Sequence, residues 1–262
     1  MEIYAPARKW AVLRIALSCL LFSMLTLQLF AVPSGLVKKV ALKGVKLVVR
    51  NGDEAIRYID DVTKVSSSVL REALEDIDDV TVFAKIAKSR FPGEVSERTL
   101  KRLQSVTDDL ASINGAKSVM KLLVSDSRSQ VKGAVGELGI VAVLCRRKNI
   151  TVTGMRDIVE TSLGKTDIDV AFSYGDIPVL LERKNINRLP LTSELKLKID
   201  KFSELANTRD AVAMISAGEI KPTQAVLDYA STNGVTVIHG GLLTQFQMAE
   251  RALKKVPVLA IP

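Results

Sequence analysis

The sequence predicts an α/β fold in which a mixed sheet is flanked by helices, with an α-helical region ahead of it and an apolar segment at the N-terminus. Three observations carry that prediction. Short runs rich in Val, Ile and Leu recur in the second half, at 150–154, 166–172, 178–185, 211–215 and 235–238, with the length and composition of strands. Longer stretches between the later runs carry apolar residues at helical spacing, and alternating strands and helices build a layered sheet. From Gly52 to about Asp126 the apolar spacing is helical.

Composition bounds the answer before any element is placed. A chain of 262 residues with 47% hydrophobic content can bury one large or two small cores. Its formal net charge of +8 favours a polyanionic partner or an anionic membrane surface, without choosing between them. The single histidine, His239, argues against zinc proteases, zinc fingers and His-rich nuclease sites. The two cysteines, Cys19 and Cys145, sit in unlike surroundings and suggest no disulfide framework.

Taken in order, Ile15 to Val32 is an uncharged run just long enough to cross a bilayer. Arg8, Lys9 and Arg14 precede it, and the heavier basic cluster from Lys38 to Arg50 follows it. A membrane anchor with the rest of the chain cytoplasmic is one expectation. A cleaved signal peptide ending near Ser34, or a true start at Met24 giving a soluble cytoplasmic protein, are the others. The expected division is therefore 1–35, 36–126 and 127–262.

In the helical region Ile56, Ile59 and Val62 recur at helical spacing, as do Val69, Leu70, Leu74 and Ile77, and then Val82, Ile86 and Ala87. Pro92-Gly93 breaks the run, and further helices begin near Ser96 and cover 119–124. A packing subdomain is the plain reading, and a DNA-contacting or dimerising module the alternative. The next helix spans about Ser127 to Arg147. On it Glu137 interrupts a row formed by Ala134, Val141 and Leu144, where a solvated acid has no reason to sit. Gly133, Gly136 and Gly139 form a row of small residues that suggests close packing on the sheet. A buried acid paired with Lys or Arg is the structural alternative for Glu137. Arg146-Arg147-Lys148 favours the C-terminal end of that helix and offers charge for phosphates.

Residues 150–154 read as the first strand and Met155 to Lys165 as a connection. The next two strands hold the polar residues of interest. Asp167 and Asp169 share one face of Thr166–Phe172; Leu180, Glu182 and Lys184 share one face of the run that follows the turn-like Ser173-Tyr174-Gly175-Asp176. A hairpin of these strands brings Asp169, Glu182 and Lys184 together. Clustered carboxylates repel unless a cation sits between them, and Mg²⁺ favours such oxygens together with substrate phosphates. A helix with Leu195, Ile199, Phe202 and Leu205 on one side and Lys196, Lys198 and Lys201 as a charged face follows. Then come a strand at 211–215, a helix beginning at Pro222, the strand at 235–238, and a closing helix from Leu242.

On these residues the chain resembles the PD-(D/E)XK nuclease superfamily, the restriction-endonuclease-like fold that includes Holliday-junction resolvases and Mrr-like enzymes. The likeness lies in Asp169 within Ile168-Asp169-Val170-Ala171, Glu182-Arg183-Lys184 on the next strand, and Glu137 within Lys132-Gly133-Ala134-Val135-Gly136-Glu137 upstream. The superfamily's Pro-Asp pair is absent, since Ile168 precedes Asp169. The resemblance covers roughly the second half of the chain and implies a nuclease domain over 127–262. It implies Mg²⁺, or Mn²⁺, bound by Asp169, Glu182, the carbonyl of Arg183 and Glu137, directly or through water. Lys184 would attend the nucleophile, and DNA would be cleaved by phosphodiester hydrolysis. Asp167 is an auxiliary ligand or a surface residue at the strand end; His239 is structural. A non-catalytic DNA-binding module and a membrane-anchored interaction protein are the alternatives, and a homodimer is left open.

Overall fold

The computed structural model describes residues 66–184 and 188–254. The chain divides into two compact units, Met1–Ile77 and Asp78–Pro262. Of the first, the described part holds helix α1 (Ser67–Ala73). The apolar run at 15–32 lies outside the described residues, and among those described no helix is long and apolar enough to cross a membrane.

The second unit begins with four helices, α2 (Val80–Arg90), α3 (Glu97–Gln104), α4 (Thr107–Ser112) and α5 (Ala116–Leu122). Asp79 caps α2 by accepting from Thr81 N–H, and Ser96 caps α3 by accepting from Thr99 N–H. Within this unit α3 and α5 lie against α6 (Arg128–Leu144), and α5 also lies against strand β1 (Ile150–Val159). Gly115, at φ 81, makes that approach close, since a Cβ there would stand 1.9 Å from the Met155 carbonyl oxygen.

The sheet has five strands in the order β1-β2-β3-β4-β5, completed by β2 (Thr166–Tyr174), β3 (Ile177–Arg183), β4 (Val212–Ser216) and β5 (Thr236–Ile238). The first three strands are antiparallel neighbours; β3, β4 and β5 run parallel. Parallel neighbours need crossover connections. Helices α7 (Ser193–Arg209) and α8 (Gln224–Thr232) supply them. Both cover one face, where Ile199, Phe202, Leu205, Val226 and Ala230 pack with Leu180, Ala213, Ile215 and Val237. The other face meets α6 and α9 (Leu242–Leu253), whose Ile140, Leu144 and Phe246 surround Phe172, Leu181 and Met214. Leu180 and Leu181 thus serve opposite faces, as strand alternation requires.

Two boundaries differ from the sequence expectation. Strand β1 continues through Asp157, Ile158 and Val159, pairing with Ile168, Asp167 and Thr166, where a connection was expected from Met155. A register shift between Val152 and Gly154 and a left-handed Arg156 at φ 51 break the alternation that would have marked it. Helix α8 starts at Gln224, with Thr223 capping it through Val226 N–H, so Pro222 precedes the cap.

Candidate functional site

Pairing of β2 with β3 runs from Tyr174↔Ile177 to Val170↔Leu181, so Asp169 and Glu182 stand at the next position of the same ladder. Asp169 Oδ2 accepts the Arg183 N–H at 2.6 Å, which ties the two strand ends together through one carboxylate. Both acids are buried, at 6% and 4% exposure. Burial, then the nearby Glu182 and Glu137 charges, pushes the Asp169 carboxyl up to about 7. Three acids from one helix and two strands therefore share one electrostatic environment.

Each is also matched with a cation or a donor. Glu182 Oε1 pairs with Lys184 Nζ at 2.7 Å. Its Oε2 lies 2.8 Å from Lys198 Nζ but off the hydrogen-bonding direction, so that buried oxygen has no aligned donor. Lys198, on α7, donates to both the carbonyl and the Oδ1 of Asp167 at 2.7 Å. Burial works against the Lys198 ammonium, yet Glu182 and Asp167 together hold its pKa above the ordinary lysine value. Asp167 itself is largely exposed, and Lys198 outweighs the burial penalty to hold its carboxyl below the usual range.

Glu137 is buried on α6 in the row with Ala134, Val141 and Leu144. Both of its oxygens are engaged by Arg156: Nε donates to Oε2 at 2.9 Å and Nη2 to Oε1 at 2.7 Å. Such a two-pronged pair is among the stronger polar contacts in proteins. It holds the Arg156 pKa above its ordinary value, against the cost of partial burial. Close approach does not explain Gly133 or Gly139 in the row beside Glu137: a Cβ on Gly133 would stand 4.0 Å from Glu137 Oε1, and one on Gly139 would meet nothing within 4 Å.

Arg183 does more than present a carbonyl. Its side chain turns to the α9 face, where Nη1 donates to Ser216 Oγ at 2.5 Å and to Gln245 Oε1 at 3.3 Å. Gln245 in turn donates to the Gly240 carbonyl at 2.5 Å, and the Lys184 N–H donates to the Ser216 carbonyl at 2.8 Å. The central residue of the Glu-Arg-Lys triplet is thus an anchor that fixes the end of β3, and burial holds its pKa below the arginine norm. The basic trio after α6 stands apart: Arg146 bonds Ser105, and Arg147 lies over the Phe246 ring at 4.3 Å.

Whether a hard cation fits can be judged from the oxygens. Glu182 Oε2 is buried without an aligned donor, and Asp169 is crowded by carboxylates whose repulsion a cation would relieve. Mg²⁺ commonly takes one or two protein carboxylates and completes its shell with water and phosphate. Asp169 and Glu182 match that number. Among the described residues no group of three or more His, Cys, Asp or Glu side chains is arranged as a metal cage, and Glu137 is held by Arg156.

No family model matches the sequence, and no curated protein does. Among solved structures, Can2 from Sulfobacillus thermosulfidooxidans in complex with cyclic tetra-adenylate is similar at a TM-score of 0.34 and 15% sequence identity. The likeness covers 75% of this chain, which spans 53% of the length of that one. A likeness of that size carries no inference about function, which must come from the residues.

Two site residues were not foreseen from sequence. Lys198 falls three residues after Leu195 and four before Phe202, at the edge of the apolar stripe of α7, and that spacing was the usable signal. Arg156 gave none, because its place depends on the irregular stretch of β1.

Proposed function

We propose that the chain is a metal-dependent nuclease that hydrolyses phosphodiester bonds in DNA, with the reacting phosphate seated against Asp169, Glu182 and Lys184. One observation carries the reading. A buried aspartate, pushed up to about 7 by burial and by Glu182 and Glu137, lies on the strand beside a Glu–Lys pair. A carboxylate in that state is destabilised until a cation or a proton joins it. Strong perturbation by burial and charged neighbours is a mark of functional sites, although structural ion pairs produce it too.

In this reading Asp169 and Glu182 hold Mg²⁺ or Mn²⁺, which when bound polarises a phosphoryl oxygen and lowers the pKa of its water. Arg183 keeps Asp169 oriented through its backbone N–H and locks the end of β3 through Ser216. Lys184, paired with Glu182 and partly open to solvent, orients the attacking water and offsets charge developing on phosphate. Lys198 steers Glu182 from the helix side. Glu137 shapes the field at Asp169 from beneath its pair with Arg156. The proposal includes the anchor at 15–32, with the nuclease domain on the cytoplasmic side.

The ion pairs favour a second reading, in which the acids form a structural network and the protein binds a partner or DNA without cutting. One experiment separates them. The protein is incubated with linear, supercoiled, single-stranded and four-way-junction DNA in Mg²⁺, Mn²⁺ or EDTA. Cleavage in the presence of metal, abolished by Lys184→Ala and by Asp169→Ala in variants that melt normally, is the expected result. Cleavage unchanged in either variant overturns this site, and binding with no metal-dependent product selects the second reading.

A further inference from the structure

A groove of about 740 Å³ opens beside the candidate site, bounded by the starts of β2 and α7, the end of β3 and the stretch from Arg188 to Thr192. Glu182 and Lys184 form part of its wall, so a phosphate reacting there is continuous with whatever fills it. Lys165, Arg188 and Lys201 line it further out. None of those three pairs with a carboxylate among the described residues, in contrast to Lys184 and Lys198. Lys201 Nζ donates to the Lys165 carbonyl at 2.8 Å, which ties the start of β2 to α7 and leaves the ammonium charge uncompensated. Lys198 and Lys201 are one helical turn apart, so positive charge continues along α7 from the site outward.

The wall also carries Asp167, Glu182 and Glu194, but Lys184 and Lys198 pair with the first two, and the cations that remain outnumber Glu194, which gives a net positive lining suited to a chain of regularly spaced anions. The volume is that of a small-molecule cleft and holds a few nucleotides of one strand. No aromatic side chain lines it; the apolar part of the wall is Leu189, Pro190, Leu195 and Leu197. Base stacking is the usual second grip on a single strand, and without it the phosphates carry the affinity. Phosphate contacts position a strand and carry no direct sequence information. We propose that this groove carries a single nucleic-acid strand leading away from the scissile phosphate, gripped by Lys165, Arg188 and Lys201 without regard to base sequence. The inference rests on the nuclease reading and names the substrate class for that same site.

The test uses the full chain and the triple variant K165Q/R188Q/K201Q. Binding of a fluorescent mixed-sequence single strand, and of the same sequence as a blunt duplex, is followed by anisotropy across a salt series in EDTA. Cleavage of both is then measured in Mg²⁺. The wild type should prefer the single strand. The triple variant should flatten its dependence of log K on log salt by about 2, since each phosphate contact to a single strand is worth about 0.7 in that slope. Its KM should rise at least about tenfold, with kcat within about twofold, because none of the three residues touches the reacting atoms. Should the triple variant melt early, Arg188→Gln alone serves, with a slope change of about 0.7. An unchanged slope and KM in a variant of a wild type that cuts DNA overturns the groove and leaves the nuclease standing. Equal affinity for duplex and single strand overturns the assignment to one strand. A wild type that neither binds nor cuts either substrate overturns both readings.

Discussion

Asp169 and Arg156 occupy opposed positions on the β1–β2 ladder, between the Met155↔Val170 and Asp157↔Ile168 pairs. Asp169 carries a carboxyl pushed up to about 7 by burial, then by Glu182 and Glu137. In the unfolded chain an aspartate titrates near 3.9. The metal-free folded state therefore holds this proton more tightly. Stability from this group is whole below about pH 4 and is lost as pH rises through about 7. Thermal melts of metal-free protein should fall across that window, and Asp169→Asn, which keeps an oxygen for the Arg183 N–H, should flatten the fall. A wild-type melting profile unaffected by the Asn substitution would remove the crowded carboxylate from the account. Arg156→Ala strands Glu137, whose side chain is only 5% exposed. A fully buried broken pair costs about 3–5 kcal/mol, and the 38% exposure of Arg156 reduces the expected loss to about 2 kcal/mol by urea unfolding. Glu137, Asp169, Glu182 and Lys184 were legible in the sequence because strand alternation and helical offsets are local rules. The partners that compensate them were not, since Arg156 and Lys198 arrive from a bulged strand and a distant helix.

Among the elements, the junction of α5 with β1 sets where Arg156 sits. Gly115 takes a left-handed φ of 81, and Met155 N–H donates to the Asn114 carbonyl at 2.8 Å. Gly115→Ala adds a Cβ that would lie 1.9 Å from the Met155 oxygen, a backbone atom that cannot step aside cheaply. The left-handed conformation costs about 1–2 kcal/mol for a residue with a side chain, and overpacking about 1–3 more. A loss of about 3 kcal/mol in chemical denaturation is expected, and a change under about 1 kcal/mol would mean that β1 yields there. The same junction explains why β1 was read as half its length. Val152, Gly154 and Arg156 break the alternation that made β2 and β3 recognisable. Helix α7 is legible in its apolar stripe, whose edge marks Lys198 as half-inward without naming the acids it meets. Both lysines line the groove, but Lys198, at 13% exposure, also reaches Asp167 and Glu182, whereas Lys201 pairs with no carboxylate among the described residues.

For the molecule as a whole, the order of elements from α6 onward followed from their periodicities, because each strand or helix announces itself locally. Helices α2–α5 share a compact unit with the sheet through contacts such as Gly115 against Met155, which are distant from any motif. Those contacts also shape the border of the sheet. Strand β1 forms one border of the sheet, and a border strand ordinarily offers its outward amides to any passing chain. Here the Met155 amide in mid-strand is already taken by the Asn114 carbonyl, the neighbouring Arg156 kinks the ribbon, and the opposite border, β5, is only three residues long. Among the described residues the sheet therefore offers no long straight margin for further strands to zip onto, the feature that ordinarily seeds fibril growth.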